Sequence, residues 1–319
     1  MTQLTKPLTG NQYTITHGDY KATVCEQGGI LRQLSWKGKN LLAGFDPDKP
    51  VPCCNGYMLI PYPNRIEGGS YTFEGKDYQF PIDEVTRHNA IHGLGYRSMW
   101  SLVALRDDAV ELEWRNSAAL ESYPFAVSAT VTYRVSDEGL SLTMTVHNNG
   151  DVDAPWAFGI HPWISNGKDL YGNDPIMAQD DLCSLKLGAR KRVLVNENLI
   201  PTGESVDVAG SEYDFLELTS LKGKVLDDAF EDVVRDERGH SQAVFTRPDG
   251  ISVTLDGDET VTSWQVCNGF GFPAHKHPSG VAVEPMTGYA NAFKTGKNLV
   301  VVKPSESFAT TITFSAEQN

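Results

Sequence analysis

The strongest constraint on this fold is a two-residue period. VSATVTYRV (127–135) sets Val127, Ala129, Val131, Tyr133 and Val135 on one face, and LSLTMTV (140–146) does the same with Leu140, Leu142, Met144 and Val146. Successive side chains of a strand point to opposite faces, so such a run buries one face as a strand and cannot do so as a helix of period 3.6. The SDEG between the runs supplies turn chemistry, and the pair reads as a β-hairpin. Four more segments repeat the pattern. SLVALRDDAVELEW turns at RDD, YTFEGKDYQF at Glu74-Gly75 and AVFTRPDGISVTL at Pro248-Asp249-Gly250, while LVVVKPSESFATTITF carries two more strand-like runs. Helical periodicity is scarce, and GSEYDFLELTSLKG (210–223) is the best short helix candidate. The 29 glycines and 17 prolines punctuate the runs, with no low-complexity linker and no internal repeat. The expectation is an all-β chain, a large antiparallel β-sandwich or barrel, folded as one domain over residues 1–319.

A chain of 319 residues has ample core for that architecture. Its net charge of −14 repels phosphate backbones and anionic lipid surfaces, which argues against nucleic-acid and membrane partners. No apolar run approaches the ~20 residues of a membrane span, and the first residues lack a charged-then-apolar signal pattern. A cytoplasmic protein is expected. The five cysteines (25, 53, 54, 183, 267) are odd in number and have no CxxC or Cys/His metal spacing. Reduced, structurally minor thiols are expected, with Cys53 and Cys54 poorly placed to bridge each other.

Several motifs lead nowhere. GFGFP (269–273) lacks the strand–GxGxxG–helix setting of a nucleotide site, and neither a GxSxG elbow nor a GxxxxGK[ST] loop is present. His275 and His277 of HKH read as a solvated loop, without accompanying ligand residues. His88 and His92 have i, i+4 spacing, which brings side chains together only on a helix, and Gly93 and Gly95 follow at once. What remains is a set of polar residues in turn or strand-end settings, most of them beside a chain-bending Pro or Gly. They are Asn64 and Arg65 in PYPNRIEGG, His92 in HNAIHGLG, His161 in GIHPW, Asp227 in LDDAF and Glu284 in VAVEPMTGYANAF. A rigid sheet presents functional groups at its rim in this way. By residue type alone a bland role stays open for each: a surface ion pair for Arg65, a turn for His92, a packed corner for His161, a cap for Asp227 and a solvated strand end for Glu284.

At these motifs the chain resembles the aldose 1-epimerase (mutarotase) family. PYPNRIEGGSYTFEGKDYQFP is similar to the family's asparagine–arginine segment, NAIHG and GIHPW to its two histidine motifs, LDDAF to its aspartate motif, and AVEPMTGYANAF to the stretch around its glutamate. The matches keep the family's order from about residue 61 to 293. The resemblance implies the galactose mutarotase-like β-sandwich (supersandwich). It also implies Glu284 as general base on the anomeric hydroxyl, His161 as general acid on the ring oxygen, and His92, Arg65, Asp227 and Asn64 as sugar-binding residues. The implied partner is a monosaccharide such as glucose or galactose, acted on by a monomer or homodimer. No metal or organic cofactor is required, because ring opening needs only a base and an acid around one C–O bond. Histidine near ~6.5 is expected to be kept protonated by neighbouring carboxylates.

Departures from the family pattern fall at Leu94, Trp163, Asp228 and Gly288-Tyr289 and bear on which sugar is bound. Trp163 and Trp156 stay open between sugar platform and core. Two alternatives stand beside this reading: a catalytically silent sugar-binding or regulatory protein on the same scaffold, and a mutarotase for a phosphorylated or sulfonated sugar, for which Arg87 and Arg97 are the nearest extra cations.

Overall fold

A computed structural model describes residues 6–168, 179–273 and 277–318. It is about 51% strand and 5% helix, with large antiparallel sheets, in keeping with the all-β expectation. The hairpins lie where the alternation and turn residues put them. Strand Ala126–Ser136 pairs antiparallel with Gly139–Asn148, and the five alternate residues of the first run and four of the second are all buried. The turn at Glu74-Gly75 joins Ser70–Phe73 to Lys76–Gln79, with both turn residues at positive φ.

Two sheets carry the architecture. The larger has nine strands in the order Ser101–Leu105, Ala109–Ser117, Ala126–Ser136, Gly139–Asn148, Ser307–Gln318, Ile251–Gly257, Ser241–Thr246, Ser184–Leu187, Thr219–Ser220. The second runs Pro201–Asp207, Ala189–Val195, Asp227–Val233, Ser263–Cys267, Gly280–Met286, Gly159–Ile160, Met58–Leu59, and Trp163–Ser165 also pairs with Gly280–Met286. Both sheets feed one main cluster of buried apolar side chains, which includes Val131, Leu142 and Phe314 from the first and Phe230, Trp264 and Val283 from the second. Tyr133 adds a polar tie by donating its hydroxyl to Gly29 O at 2.6 Å.

The helix expected at 210–223 does not form. The segment is a chain of turns leading into the short strand Thr219–Ser220. Ser211 and Asp214 accept hydrogen bonds from nearby backbone N–H groups of Gly210, Tyr213 and Leu216, which offers the backbone a local alternative to helix. Phe215 and Leu221 are the buried anchors of this segment. Among the described residues no helix is long and apolar enough to cross a membrane.

Candidate functional site

Strand Gly280–Met286 is buried along its whole length, and it carries Glu284 into the interior at 2% exposure. Its neighbour Ser263–Cys267 sets Gln265 directly opposite Glu284, and Asp227 opens the next strand over, opposite Cys267. On the other side His161 sits in the break between Gly159–Ile160 and Trp163–Ser165. Pro162 lacks an N–H, so the break leaves no donor stranded there. The His161 backbone is pinned at both ends: its N–H donates to Tyr57 O at 3.1 Å, and its C=O accepts from Gly56 N–H at 2.8 Å.

Asn64, Arg65 and His92 come from a small two-stranded element, Arg65–Glu67 paired with Asn89–Ile91. Asn64 and His92 both have positive φ and are locked together: the Asn64 N–H donates to His92 Nδ1 at 3.2 Å, and the His92 N–H donates to Asn64 O at 2.9 Å. Gly93 completes the turn at φ +70, where a Cβ would lie 2.1 Å from Ile60 O, so only glycine fits the IHG motif here.

All six sequence-selected residues line one cavity of about 150 Å³, together with Cys53, Cys54, Ile91, Trp163, Gln265, Cys267 and Phe272. His161 Nε2 lies 3.5 Å from Glu284 Oε1, and the His92 and His161 rings meet edge-on at 5.5 Å. Glu284 Oε2 and His161 Nδ1 have no hydrogen-bond partner among the described residues. Gln265 is the connector: it accepts from Asn64 Nδ2 at 3.2 Å and donates to Asp227 Oδ1 at 2.8 Å. Arg65 is clamped from behind by Glu84 through two hydrogen bonds of 2.8 and 2.9 Å, and Glu84 also accepts from Arg87 and Asn89.

Burial sets the electrostatics. It raises the Glu284 carboxyl well above the usual carboxylate range, with the charge of Asp227 adding and Arg65 opposing. His161 is pushed down to about 4 by burial, with Arg65 adding. This is the reverse of the expectation that carboxylates would keep it protonated; removal from water is the largest cause. His92 is held well below the ordinary histidine range by burial and by the fields of His161 and Arg65. Burial disfavours charge on both partners, so the neutral pair with the proton on Glu284 is favoured over the ion pair, and moving that proton across their contact interconverts the two.

Trp163 is fully buried, donates its indole N–H to Cys53 O at 3.0 Å and stacks behind His161 at 6.1 Å, while Trp156 belongs to the main core. All five cysteines are unbridged, in keeping with reduced thiols, and three of them line the cavity; burial raises Cys54 to about 12 and Cys267 well above its usual range. His277 is not solvated as expected but buried, with Nε2 2.8 Å from Asn268 O and Nδ1 2.6 Å from Pro278 O; His275 lies outside the described residues. Asp228 leaves the cavity to pair with Arg192 at 3.0 Å. Arg97 pairs with Asp83 and Arg87 with Glu84, and neither lines the cavity, whose one lining cation among the described residues is Arg65. No cluster of three or more metal-ligating side chains occurs among the described residues.

Sequence reasoning missed Gln265 and Glu84. Gln265 left a trace, a polar side chain inside the apolar strand SWQVC, whereas Glu84 left none.

The aldose 1-epimerase family model matches residues 11–315. The uncharacterized protein YihR of Escherichia coli (strain K12) is 30% identical over 301 residues, spanning 92% of this chain and 89% of that protein. An aldose 1-epimerase of Streptococcus thermophilus is 28% identical over 211 residues, 60% of this chain and 56% of the relative. Among solved structures, an aldose epimerase homologue from C. elegans superposes with a TM-score of 0.80 at 20% identity, covering 97% of this chain and 99% of the other.

Proposed function

The chain belongs to the aldose 1-epimerase family, and on that premise we propose that it is an isomerase interconverting the α and β anomers of an aldose such as glucose or galactose. Residues 1–319 act as one cytoplasmic domain, as a monomer or homodimer. The observation that carries the reading is the buried His161–Glu284 contact of 3.5 Å, each side chain with a ring or carboxylate atom that has no hydrogen-bond partner among the described residues. Binding alone does not need an acid and a base side by side.

In the ion-paired form Glu284 takes the proton from the anomeric hydroxyl while His161 gives its proton to the ring oxygen. The C1–O5 bond breaks and the C1–O1 bond becomes a carbonyl, leaving the open-chain aldehyde. Rotation about C1–C2 presents the other face of the carbonyl, and the reverse transfers close the ring. Proton count is conserved at each stage, so the pair is regenerated. Arg65, Asp227, His92, Gln265 and Asn64 hold the sugar hydroxyls; their mutual hydrogen bonds fix them before the sugar arrives, which lowers the ordering cost of binding. The pairing of Arg87 and Arg97 with acidic residues outside the cavity gives no support to a phosphorylated or sulfonated substrate.

The test is NMR or polarimetry of freshly dissolved α-glucose and α-galactose. The protein is expected to accelerate anomerisation, and Glu284→Gln and His161→Asn each to lose about 10²–10⁴-fold, the usual worth of a positioned proton transfer. Wild-type protein that leaves the common aldoses at their spontaneous rate would sink the reading.

A further inference from the structure

The nine-stranded sheet ends differently at its two edges. One edge is the two-residue strand Thr219–Ser220, which offers little to pair with. The other is Ser101–Leu105, whose one neighbour in the sheet is Ala109–Ser117. Just before it, Met99 and Trp100 still have companions in Gln27 and Glu26, so the open edge begins at Ser101. Proteins blunt such edges with charge, proline, bulges or brevity, because an open edge is a template for another strand. Here charge and proline are absent from the whole run MWSLVAL, 99–105. Met99, Leu102, Val103 and Leu105 are 57%, 43%, 53% and 50% exposed. Four large apolar side chains in seven residues make a patch rather than scattered exposure.

The inner neighbour shows which backbone groups face out. Arg106 N–H donates to Ala109 O at 2.7 Å, so Ala109, Glu111 and Glu113 take the bonded positions of that ladder. Leu105 and Leu102 lie opposite the intervening Val110 and Leu112, and their N–H and C=O groups point away from the sheet. Val110 and Leu112 are buried. The apolar layer of the core therefore runs up to the two leucines and stops there half covered.

A second copy of the same strand meets these requirements. Antiparallel copies related by a two-fold axis are self-complementary. With Leu102 opposite the second copy's Leu105, outward backbone groups meet outward backbone groups and the leucines cover each other. The same register sets Ser101 opposite the second copy's Arg106. Arg106 is exposed and in phase with Glu111 and Glu113, so each arginine approaches the acidic face of the other copy. An uncharged strip flanked by arginine is a workable contact for a chain of net charge −14, which repels its own kind elsewhere. The strand is short and its register shifts at Val103, which limits the seam; two-fold pairing also uses up the edge, so assembly closes at two. We propose that Ser101–Leu105 pairs antiparallel with the same strand of a second copy, joining the two nine-stranded sheets into one.

Sedimentation velocity at rising protein concentration reads the association, with melting temperature as the folding control. Wild type is expected to pass from monomer to dimer. Val103→Lys is expected to weaken that association at least about tenfold at unchanged Tm, because like charges then meet across the seam. The register is read by air oxidation of Leu102→Cys and Leu105→Cys, with mass spectrometry locating the bond. An intermolecular disulfide between positions 102 and 105 is expected in the mixture of the two variants. A protein that stays monomeric at every concentration, a species larger than a dimer, or a dimer that Val103→Lys leaves untouched overturns the proposal. If the lysine lowers Tm, the thiols decide, and a mixture without the 102–105 bond overturns it.

Discussion

Arg65 stands between two sets of carboxylates, Glu84 behind it and Asp227 with Glu284 in front. The bidentate clamp from Glu84 fixes the guanidinium plane and satisfies much of its charge, so Glu284 keeps the raised proton affinity that burial gives it. Glu84→Gln keeps the size of the side chain but frees Arg65 to attract Glu284. The expected outcome is a loss of about tenfold or more in kcat/KM, the scale of a charge-assisted hydrogen bond, together with a high-pH limb that moves to lower pH. A purely structural role for Glu84 would leave that limb in place. The low-pH limb belongs to His161. Below about 4 its imidazole takes a second proton into the pair, Glu284 and His161 are both protonated, and no base remains for the anomeric hydroxyl. Rate is therefore expected to stay flat through neutral pH and fall as pH drops through about 4, read from kcat/KM in overlapping buffers. The six selected residues were legible because their short motifs, taken together and in order, resemble those of the family; singly, residue type left a bland role open for each. Glu84 and Gln265 were not, since their roles exist only after folding brings them to Arg65, 19 residues away, and Asn64, 201 residues away.

Hairpins were the easiest elements to read, because alternation and turn residues are both local. The 210–223 segment misled because its apolar spacing resembled a helix while Ser211 and Asp214 hydrogen-bonded the backbone into turns. The order of the strands was not legible at all: pairing Gln265 with Glu284, or Gly139–Asn148 with Ser307–Gln318, is a long-range outcome of packing. The Asn89–Ile91 element shows how tightly the site depends on its support. Gly93→Ala would force a Cβ against Ile60 O at a positive φ, and displacing the turn would also drag His92 from Asn64. A destabilisation of at least about 2 kcal/mol is expected from strain of this kind, measured by urea unfolding, together with weaker sugar binding. An unchanged urea midpoint would show that the turn can move aside.

At the scale of the whole molecule, buried titratable groups pull stability in opposite directions with pH. Asp180 accepts from Asn166 Nδ2 at 2.8 Å, and burial raises its carboxyl to about 8. The unfolded chain ionises it near ~3.9. Its contribution is full below that value and lost as pH rises toward about 8. His161, depressed to about 4, works the other way: its contribution is present above the ~6.5 of an unfolded histidine and lost as pH falls toward about 4. Asp180→Asn is therefore expected to show a smaller drop in Tm between pH 5 and pH 8 than wild type, measured by circular dichroism. An equal drop in both proteins would remove Asp180 as the cause. The class of the fold followed from alternation, yet the seam of its larger sheet did not. Strand Ser307–Gln318 lies in the middle of that sheet, between Gly139–Asn148 and Ile251–Gly257. During synthesis the ribosome delivers both flanking strands before the strand that joins them. Neither flanking strand can pair with its common neighbour until residues 307–318 emerge, and an unpaired strand edge is a template for non-native pairing.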